Sequence, residues 1–352
     1  MSVVTVTTTA VDERIMLKHG AGGRAMRRLI EEAFLTAFGT DPVEPAGLLG
    51  VAAMDDGGAV RIGDQWLVMT TDSHVIQPLF FPGGDIGRLA ICGTVNDLAM
   101  IGATTVLGLT CGIVVEEGFA RADLSRVLDS MQRACVEASA TVITGDTKVM
   151  GAGEIDGLVI NTTGIAMTTH LVRDNGLRPG DRIIVTGTIG DHGMAVMARR
   201  HGLQLDTELQ SDVAPINGLI RAAMDAAPGG ITAMKDPTRG GVAGALHEMA
   251  AKGHVGITLD EAALPVRSDV RGVSELVGID PLFVANEGKA VIGVRLDASA
   301  AVLAALRAHP LGRDAAIVGV CVADHAGRVV LDTGFGCRLV AEPDGELLPR
   351  IC

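Results

Sequence analysis

The sequence predicts a mixed α/β (α+β) protein of two domains followed by a flexible C-terminal tail. Three observations carry this. A chain of 352 residues exceeds one ordinary domain. Strand-like runs rich in Val, Ile and Thr alternate with helical patterns in both halves. Between the halves, Arg178-Pro179-Gly180-Asp181 forms a turn whose Pro fixes the backbone and whose Gly permits positive φ. The predicted boundaries are 1–170, 178–341 and a mobile tail over 342–352, where acids, Gly345, Pro343 and Pro349 replace any periodicity.

Residues 3–9 alternate Val and Thr and read as an opening strand. Helical periodicity covers 24–38, with Leu29, Ile30, Ala33 and Phe34 on one face. Strands are expected at 65–71, 106–115, 141–144 and 158–167, and helices at 86–102 and 121–139. After the break, 182–186, 257–259, 291–296, 317–322 and 328–331 look like strands, and 194–201, 213–226 and 241–251 like helices.

Composition excludes several classes. With 29 Lys and Arg against 42 Asp and Glu, the net charge of −13 offers no basic face to nucleic acid or an anionic membrane. Aromatic residues are 2% of the chain, too few for the stacking platforms of single-strand binders. The six cysteines contain no C-x-x-C pair and read as reduced thiols of a cytoplasmic protein, with Cys92, Cys111 and Cys135 in apolar core contexts. Residues 98–115 carry no charge, but Gly102, Gly108 and Gly112 break the run, so it reads as a buried helix, turn and strand rather than a membrane span.

The segments able to carry chemistry are short. Lys18 to Ala25 fits a G-x-G-x-x-A spacing, yet no buried strand precedes it, so a dinucleotide fingerprint is disfavoured. A phosphate-facing loop and a structural helix start both stay open. More informative are four places where Asp recurs among small residues: Asp55-Asp56-Gly57-Gly58, Thr71-Asp72-Ser73-His74, Asn96-Asp97 and Gly145-Asp146-Thr147-Lys148. Carboxylates beside small residues can approach a hard cation, and Mg²⁺ is held by a few carboxylates with phosphates and water. An acidic protein can then bind a polyphosphate through the metal. Lys235-Asp236-Pro237-Thr238-Arg239-Gly240-Gly241 precedes a helix and offers a hydroxyl, a guanidinium and backbone donors to an anion, an ordinary capped turn being the other reading. Asn286-Glu287-Gly288-Lys289 puts a carboxylate before a strand. The chain ends on Cys352, a thiol that nothing follows, suited to act as nucleophile or group carrier on an arm.

These segments, with Phe80-Phe81-Pro82-Gly83-Gly84-Asp85 and the terminal Pro349-Arg350-Ile351-Cys352, resemble the HypE family of hydrogenase maturation proteins. That family belongs to the superfamily of aminoimidazole ribonucleotide synthetase, selenophosphate synthetase and thiamine-monophosphate kinase. The resemblance spans nearly the whole chain; Gly57-Gly58 departs by one glycine from the Asp-Asp-Gly-Ala common in related sequences. It implies the two-domain aminoimidazole ribonucleotide synthetase-like fold, a homodimer paired through its N-terminal sheets, and ATP with Mg²⁺ in the cleft between domains. It further implies a carbamoyl dehydratase: a HypF carbamoyltransferase loads Cys352, ATP drives conversion of the S-carboxamide to an S-cyanide, and a HypC–HypD complex receives the cyanide for the iron of [NiFe] hydrogenases. On matching positions, Asp55, Asp72, Asp97 and Asp146 would hold Mg²⁺ with Asn96 assisting and Asp56 facing the metal or orienting Asp55. Thr147, Asp236, Thr238 and Arg239 would contact ATP, and Lys148 and Glu287 would serve the dehydration, which of them acts as base staying open. His74 either touches substrate or stands behind the site. A synthetase acting on a free small molecule and a non-catalytic nucleotide-gated carrier are the competing readings.

Overall fold

The computed structural model describes residues 14–39, 47–203, 209–345 and 351; the expected strand over 3–9 and Cys352 itself lie outside them. In the first half the elements run α1 (Gly23–Leu29), a π-helical turn (Ile30–Leu35), α2 (Thr36–Phe38), β1 (Leu48–Leu49), β2 (Gly58–Ile62), β3 (Gln65–His74), β4 (Phe80–Phe81), β5 (Gly84–Asp85), α3 (Ile86–Met100), β6 (Val106–Glu116), α4 (Arg121–Ala138), β7 (Val142–Met150) and β8 (Leu158–Thr168). The main sheet has the order β1-β2-β3-β8-β6-β7. Its pairs are antiparallel except β6 with β7, which lie parallel.

Helix α3 starts where Asp85 Oδ1 accepts the amides of Gly87 and Arg88 at 2.8 and 3.0 Å, a side-chain N-cap. It is apolar on all sides, and accordingly buried along nearly its whole length. It ends before Gly102, whose φ of 83° suits a residue without a Cβ. The uncharged run 98–115 is therefore helix end, turn and strand, and no helix among the described residues is long and apolar enough to cross a membrane. Amphipathic α4 lays Val127, Met131 and Ala134 onto the same core.

The second half continues with β9 (Arg182–Val185), α5 (Asp191–Arg200), α6 (Asn217–Ala226), β10 (Ile231–Lys235), α7 (Gly241–Gly253), β11 (Gly256–Asp260), α8 (Ser268–Val277), β12 (Val291–Val294), α9 (Ser299–Ala308), β13 (Ala316–Val322), β14 (Val329–Asp332) and β15 (Cys337–Leu339). Its sheet has the order β10-β12-β9-β13-β11-β14-β15. Alternation along β9 sends Ile183 and Val185 to the α7 face and Ile184 to the face covered by α6 and α9, so this sheet is buried on both sides. The two halves share cores: Ala99 and Met100 of α3 pack with α6, and Met194, Val196 and Val284 join the cluster under α3 and α4.

Several expectations change. Residues 24–38 are helical but leave Ala33 and Phe34 exposed. Helix α6 begins at Asn217, not 213, and α8 and α9 carried no recognised signal. The tail does not trail free where it is described: the amides of Arg24 and Ala25 donate to Pro343 O (3.0 Å) and Asp344 O (3.3 Å), Arg27 pairs with Glu342, and Ile351 is buried.

Candidate functional site

The acidic residues gather at the seam between the halves. Thr70 on β3 organises them, its hydroxyl 2.8 Å from Asp97 Oδ2 on α3 and 3.0 Å from the Asp56 carbonyl. Asp72 follows on the same strand, with its Oδ1 accepting the Ser73 amide at 2.8 Å. From the other half come Asp236, between the end of β10 and the start of α7, and Glu287, ahead of β12; both are buried.

Electrostatics marks this group as one unit. Burial pushes the Asp236 carboxyl up to about 8, with the Asp56 charge next in weight and Lys235 opposing. Asp97 is driven well above the carboxylate range by burial and then by Asp236, Asp72 and Asp56. Glu287 rises likewise, through burial and then Asp236, Asp212 and Asp72. Several buried carboxyls that raise one another's pKa make a site whose charge a cation would balance. Asp56 Oδ2 and Glu287 Oε1 are buried without hydrogen-bond partners, which strengthens that view.

Asp55 and Asp56 divide their roles. The Asp55 side chain, 1% exposed, turns away toward Arg173 and the Asp174 amide and is raised to about 7 by burial, then by Asp174 and Asp56. Through Asp174 it adjoins an ionic cluster in which Lys235 reaches Asp56 (2.5 Å), Asp174 (3.7 Å) and Glu248 (3.4 Å), and Lys252 reaches Asp174 (2.5 Å) and the Met54 carbonyl (2.5 Å). Asp56 is thus the member of the pair that faces the acidic group, and Asp55 helps brace the two halves. Asn96 is also occupied: its amide donates to Ala214 O (3.1 Å) and Glu287 O (3.0 Å) and its Oδ1 accepts from Ile216 N (2.8 Å). With both polar atoms engaged by backbone of the second half, it clamps the two halves together.

Asp146, Thr147 and Lys148 are not brought in by the chain itself. The segment expected to be a loop is the middle of β7, an edge strand whose every residue is exposed. Lys148 Nζ pairs there with Asp146 Oδ2 at 3.1 Å. Strands β8 and β6 separate β7 from β3, so three interstrand spacings, roughly 14 Å, lie between them.

His74 is buried, its ring against Gly93 of α3, where a Cβ would lie 2.9 Å from Cε1. Its Nε2 is 3.4 Å from Asp72 Oδ2, and burial holds its pKa below the ordinary value. This places it behind Asp72. The glycine loop before α1 packs on the phosphate-type loop: a Cβ on Gly22 would be 2.9 Å from the Arg239 Cβ, and Arg239 Nη1 donates to Gly20 O at 3.2 Å. Thr238 precedes α7, its carbonyl accepting from Gly241 N at 2.9 Å.

Lys235 heads the segment read as an anion loop, but its pairing with acids was not foreseen; Asp174, Lys252 and Glu248 carried no signal, being ordinary surface-type residues until the fold brings them together. Asp212 was missed as well: its Oδ1 accepts the Glu287 amide at 3.1 Å and its other oxygen lies 3.2 Å from Lys289. A cleft of about 980 Å³ opens beside it, lined by Phe81, Arg88, Ser211, Asp212 and Lys289 among others.

Residues 54–168 and 178–332 match the N-terminal and C-terminal domain models of AIR synthase related proteins. The carbamoyl dehydratase HypE of Rhizobium leguminosarum bv. viciae is 47% identical over 342 residues, covering 96% of this chain and 95% of that protein. Among solved structures, a HypE–HypF complex superposes with a TM-score of 0.82 at 43% identity, covering 90% of this chain and 99% of that one. HypE in complex with ATP gives 0.78 at 40% identity, with 96% and 100% covered. Identity at this level over 96% of the chain, joined to an acidic seam between two such domains, leads to one statement: the chain belongs to the HypE family of carbamoyl dehydratases.

Proposed function

We propose that this chain dehydrates a carbamoyl group carried on its own Cys352, using ATP, to give an S-cyanide for the iron ligands of [NiFe] hydrogenase. The observation that carries the reading is the position of Ile351. This next-to-last residue is buried, its carbonyl 2.8 Å from His192 Nε2, while Ser211, on the other side of that ring, adjoins the Asp212 that holds the Glu287 amide. The end of the chain is thereby led to the acidic site.

The chemistry follows from leaving-group ability. An amide oxygen does not depart as hydroxide; transfer of the γ-phosphoryl group of ATP to it gives an imidate phosphate, and loss of phosphate with two N–H protons forms the C≡N bond. The products are S-cyanide, ADP and phosphate, with the amide oxygen in the phosphate. Glu287, buried and with one oxygen free of hydrogen bonds, is the group placed to take a proton from the amide nitrogen once cationic charge bound beside it lets it ionise. Arg239, Thr238 and the start of α7 suit the phosphates.

Among the described residues no three His, Cys, Asp or Glu side chains converge closely enough to hold a metal by themselves. Mg²⁺ keeps waters and draws ligands from nucleotide phosphates, so a partial carboxylate set with an orphaned Asp56 oxygen fits it. Asp56, Asp72 and Asp97 would hold the ion, which supplies charge neutralisation during phosphoryl transfer.

Asp146, Thr147 and Lys148 enter this reading through a second copy. The open face of the first sheet exposes Val60, Ile62, Met69 and Leu107, and β7 exposes Ile143 and Val149, an edge and face that homodimer formation would cover. Lys148 of one copy would then meet the site of the other and stabilise the amide oxygen. Loading by a HypF carbamoyltransferase and delivery to a HypC–HypD complex complete the reading; the HypE–HypF complex supports the first step.

The test is mass spectrometry of the carbamoylated chain after ATP is added. Loss of one water from the C-terminal peptide is expected in the wild type, and Glu287→Gln should keep the carbamoyl group without dehydrating it. A carbamoyl group that persists in the wild type with ATP favours the carrier reading, and the absence of any adduct on Cys352 removes both.

A further inference from the structure

His192 is the second residue of α5, fully buried, and the dehydration chemistry above gives it no task. Its ring is held from three sides. Phe81 meets it edge-on at 5.3 Å between centroids and 88° between planes. Ser211 Oγ lies 2.8 Å from Nδ1 and the Ile351 carbonyl 2.8 Å from Nε2.

The direction of these bonds can be assigned. Burial holds the imidazole pKa below its ordinary value, with Asp212 and the Ile351 hydrogen bond working the other way. A neutral imidazole has one N–H. The Ile351 carbonyl can only accept, so Nε2 carries the proton and Nδ1 accepts from the Ser211 hydroxyl. Ser211 Oγ in turn accepts from Val213 N at 3.1 Å, and the Ser211 amide donates to Pro82 O at 2.9 Å. A one-way chain from the Val213 amide through Ser211 and His192 to Ile351 therefore fixes the tautomer and aims the Nε2 proton at the tail.

We infer that His192 is the positioning residue that hooks the C-terminal tail, and that it reads the tail by its main chain. This rests on the reading of Cys352 as the carrier. The contact is to the Ile351 carbonyl, with the Ile351 side chain packed in the core that contains Met194, Val284 and Ala285. Both contacts are made to residue 351, one position before the carrier sulfur, so the hook is expected to hold the free thiol, carboxamide and cyanide forms alike. A hook that recognised the carbamoyl group would instead release the tail once the cyanide had formed.

The experiment uses the full chain and compares His192→Phe, which keeps a ring against Phe81 but has no donor, with His192→Gln, whose amide can donate to the carbonyl. Alkylation of Cys352 by iodoacetamide, read on the C-terminal peptide by mass spectrometry, should be about tenfold faster in the Phe variant, the scale of one lost buried hydrogen bond, and close to wild type in the Gln variant. Single-turnover dehydration should fall by about the same factor in the Phe variant with ATP affinity unchanged. Ser211→Ala, a milder change that releases the tautomer, should raise the alkylation rate a few-fold. Equal alkylation rates in wild type, Phe and Ser211→Ala proteins overturn the hook, as does a Gln variant no better protected than Phe. Cyanide-form protein alkylating no differently from unmodified protein is not measurable at the blocked sulfur, so amide exchange of Ile351 in the two forms supplies that comparison; faster exchange in the cyanide form overturns main-chain reading. Wild-type protein that never dehydrates refutes the proposed function, while the Phe and Gln comparison still decides the hook.

Discussion

Asn96 on α3 donates its side-chain amide to the backbone carbonyl of Glu287 at 3.0 Å, so a helix of the first half sets the position of a carboxyl supplied by the second. The same side chain also engages Ala214 O and Ile216 N. Asn96→Leu leaves three buried backbone groups without partners and should destabilise the protein by about 3 kcal/mol. Urea unfolding measures this, and a loss below about 1 kcal/mol, within the range of a single ordinary hydrogen bond, would show that the clamp is not needed.

Lys235 compensates buried negative charge from three directions, Asp56, Asp174 and Glu248. Lys235→Met should cost about 3 to 5 kcal/mol, because removing one partner strands the others. Adding Asp174→Asn should recover part of that loss. Additive losses in a double-mutant cycle would contradict the cluster.

Raised carboxyl pKa values make the unliganded protein sensitive to base. For Asp236, about 8 when folded, and Asp55, about 7, the folded state binds more protons than the unfolded chain at pH values above the ordinary carboxylate range. Stability from these groups is complete below the ordinary carboxylate range and declines steadily above it, the decline ending once pH passes about 7 for Asp55 and about 8 for Asp236. The buried histidines, whose pKa values are lowered, act in the opposite sense and only below their unfolded value near 6.5. The melting temperature of nucleotide-free protein should therefore fall between pH 7 and about 8.5, and Mg-ATP should flatten the fall. A melting temperature that rises over this range without ligand would contradict the clustering.

The proposed sharing of the site between two copies is tested by complementation between variants. Lys148→Ala and Glu287→Gln should each be inactive alone. Mixed under exchange, half of the dimers are heterodimers with one intact site of two, so about one quarter of wild-type activity should return. No return of activity, with subunit exchange verified by native mass spectrometry, would place Lys148 and Glu287 in the same chain's site.

Legibility in the sequence followed physical pattern. The apolar run of α3, capped by Asp85, and the alternation of β3 were readable because burial on all sides leaves an almost unbroken apolar run and burial on one face leaves a period of two. Strand β7 was misread past Thr144, since an edge strand exposed throughout one chain has no single-chain burial pattern to display. Asp56 and Asp55 could not be told apart as neighbours; the fold turns Asp55 to Arg173 and the Asp174 amide, and gives Asp56 to Lys235 with its second oxygen left unpartnered. Asn96 resembled a ligand because a sequence does not show which backbone groups a buried amide will meet. The hook at His192 depends on Ser211 and Ile351, distant in sequence, and had no local signature.

The central claim is that ATP removes the amide oxygen of the tail as phosphate. Loading Cys352 from carbamoyl phosphate labelled with oxygen-18 in the carbamoyl group, then adding ATP, follows that atom directly. The account predicts that inorganic phosphate released in a single turnover carries the label, in step with water loss from the C-terminal peptide. Label appearing in solvent water, with unlabelled phosphate, would contradict it.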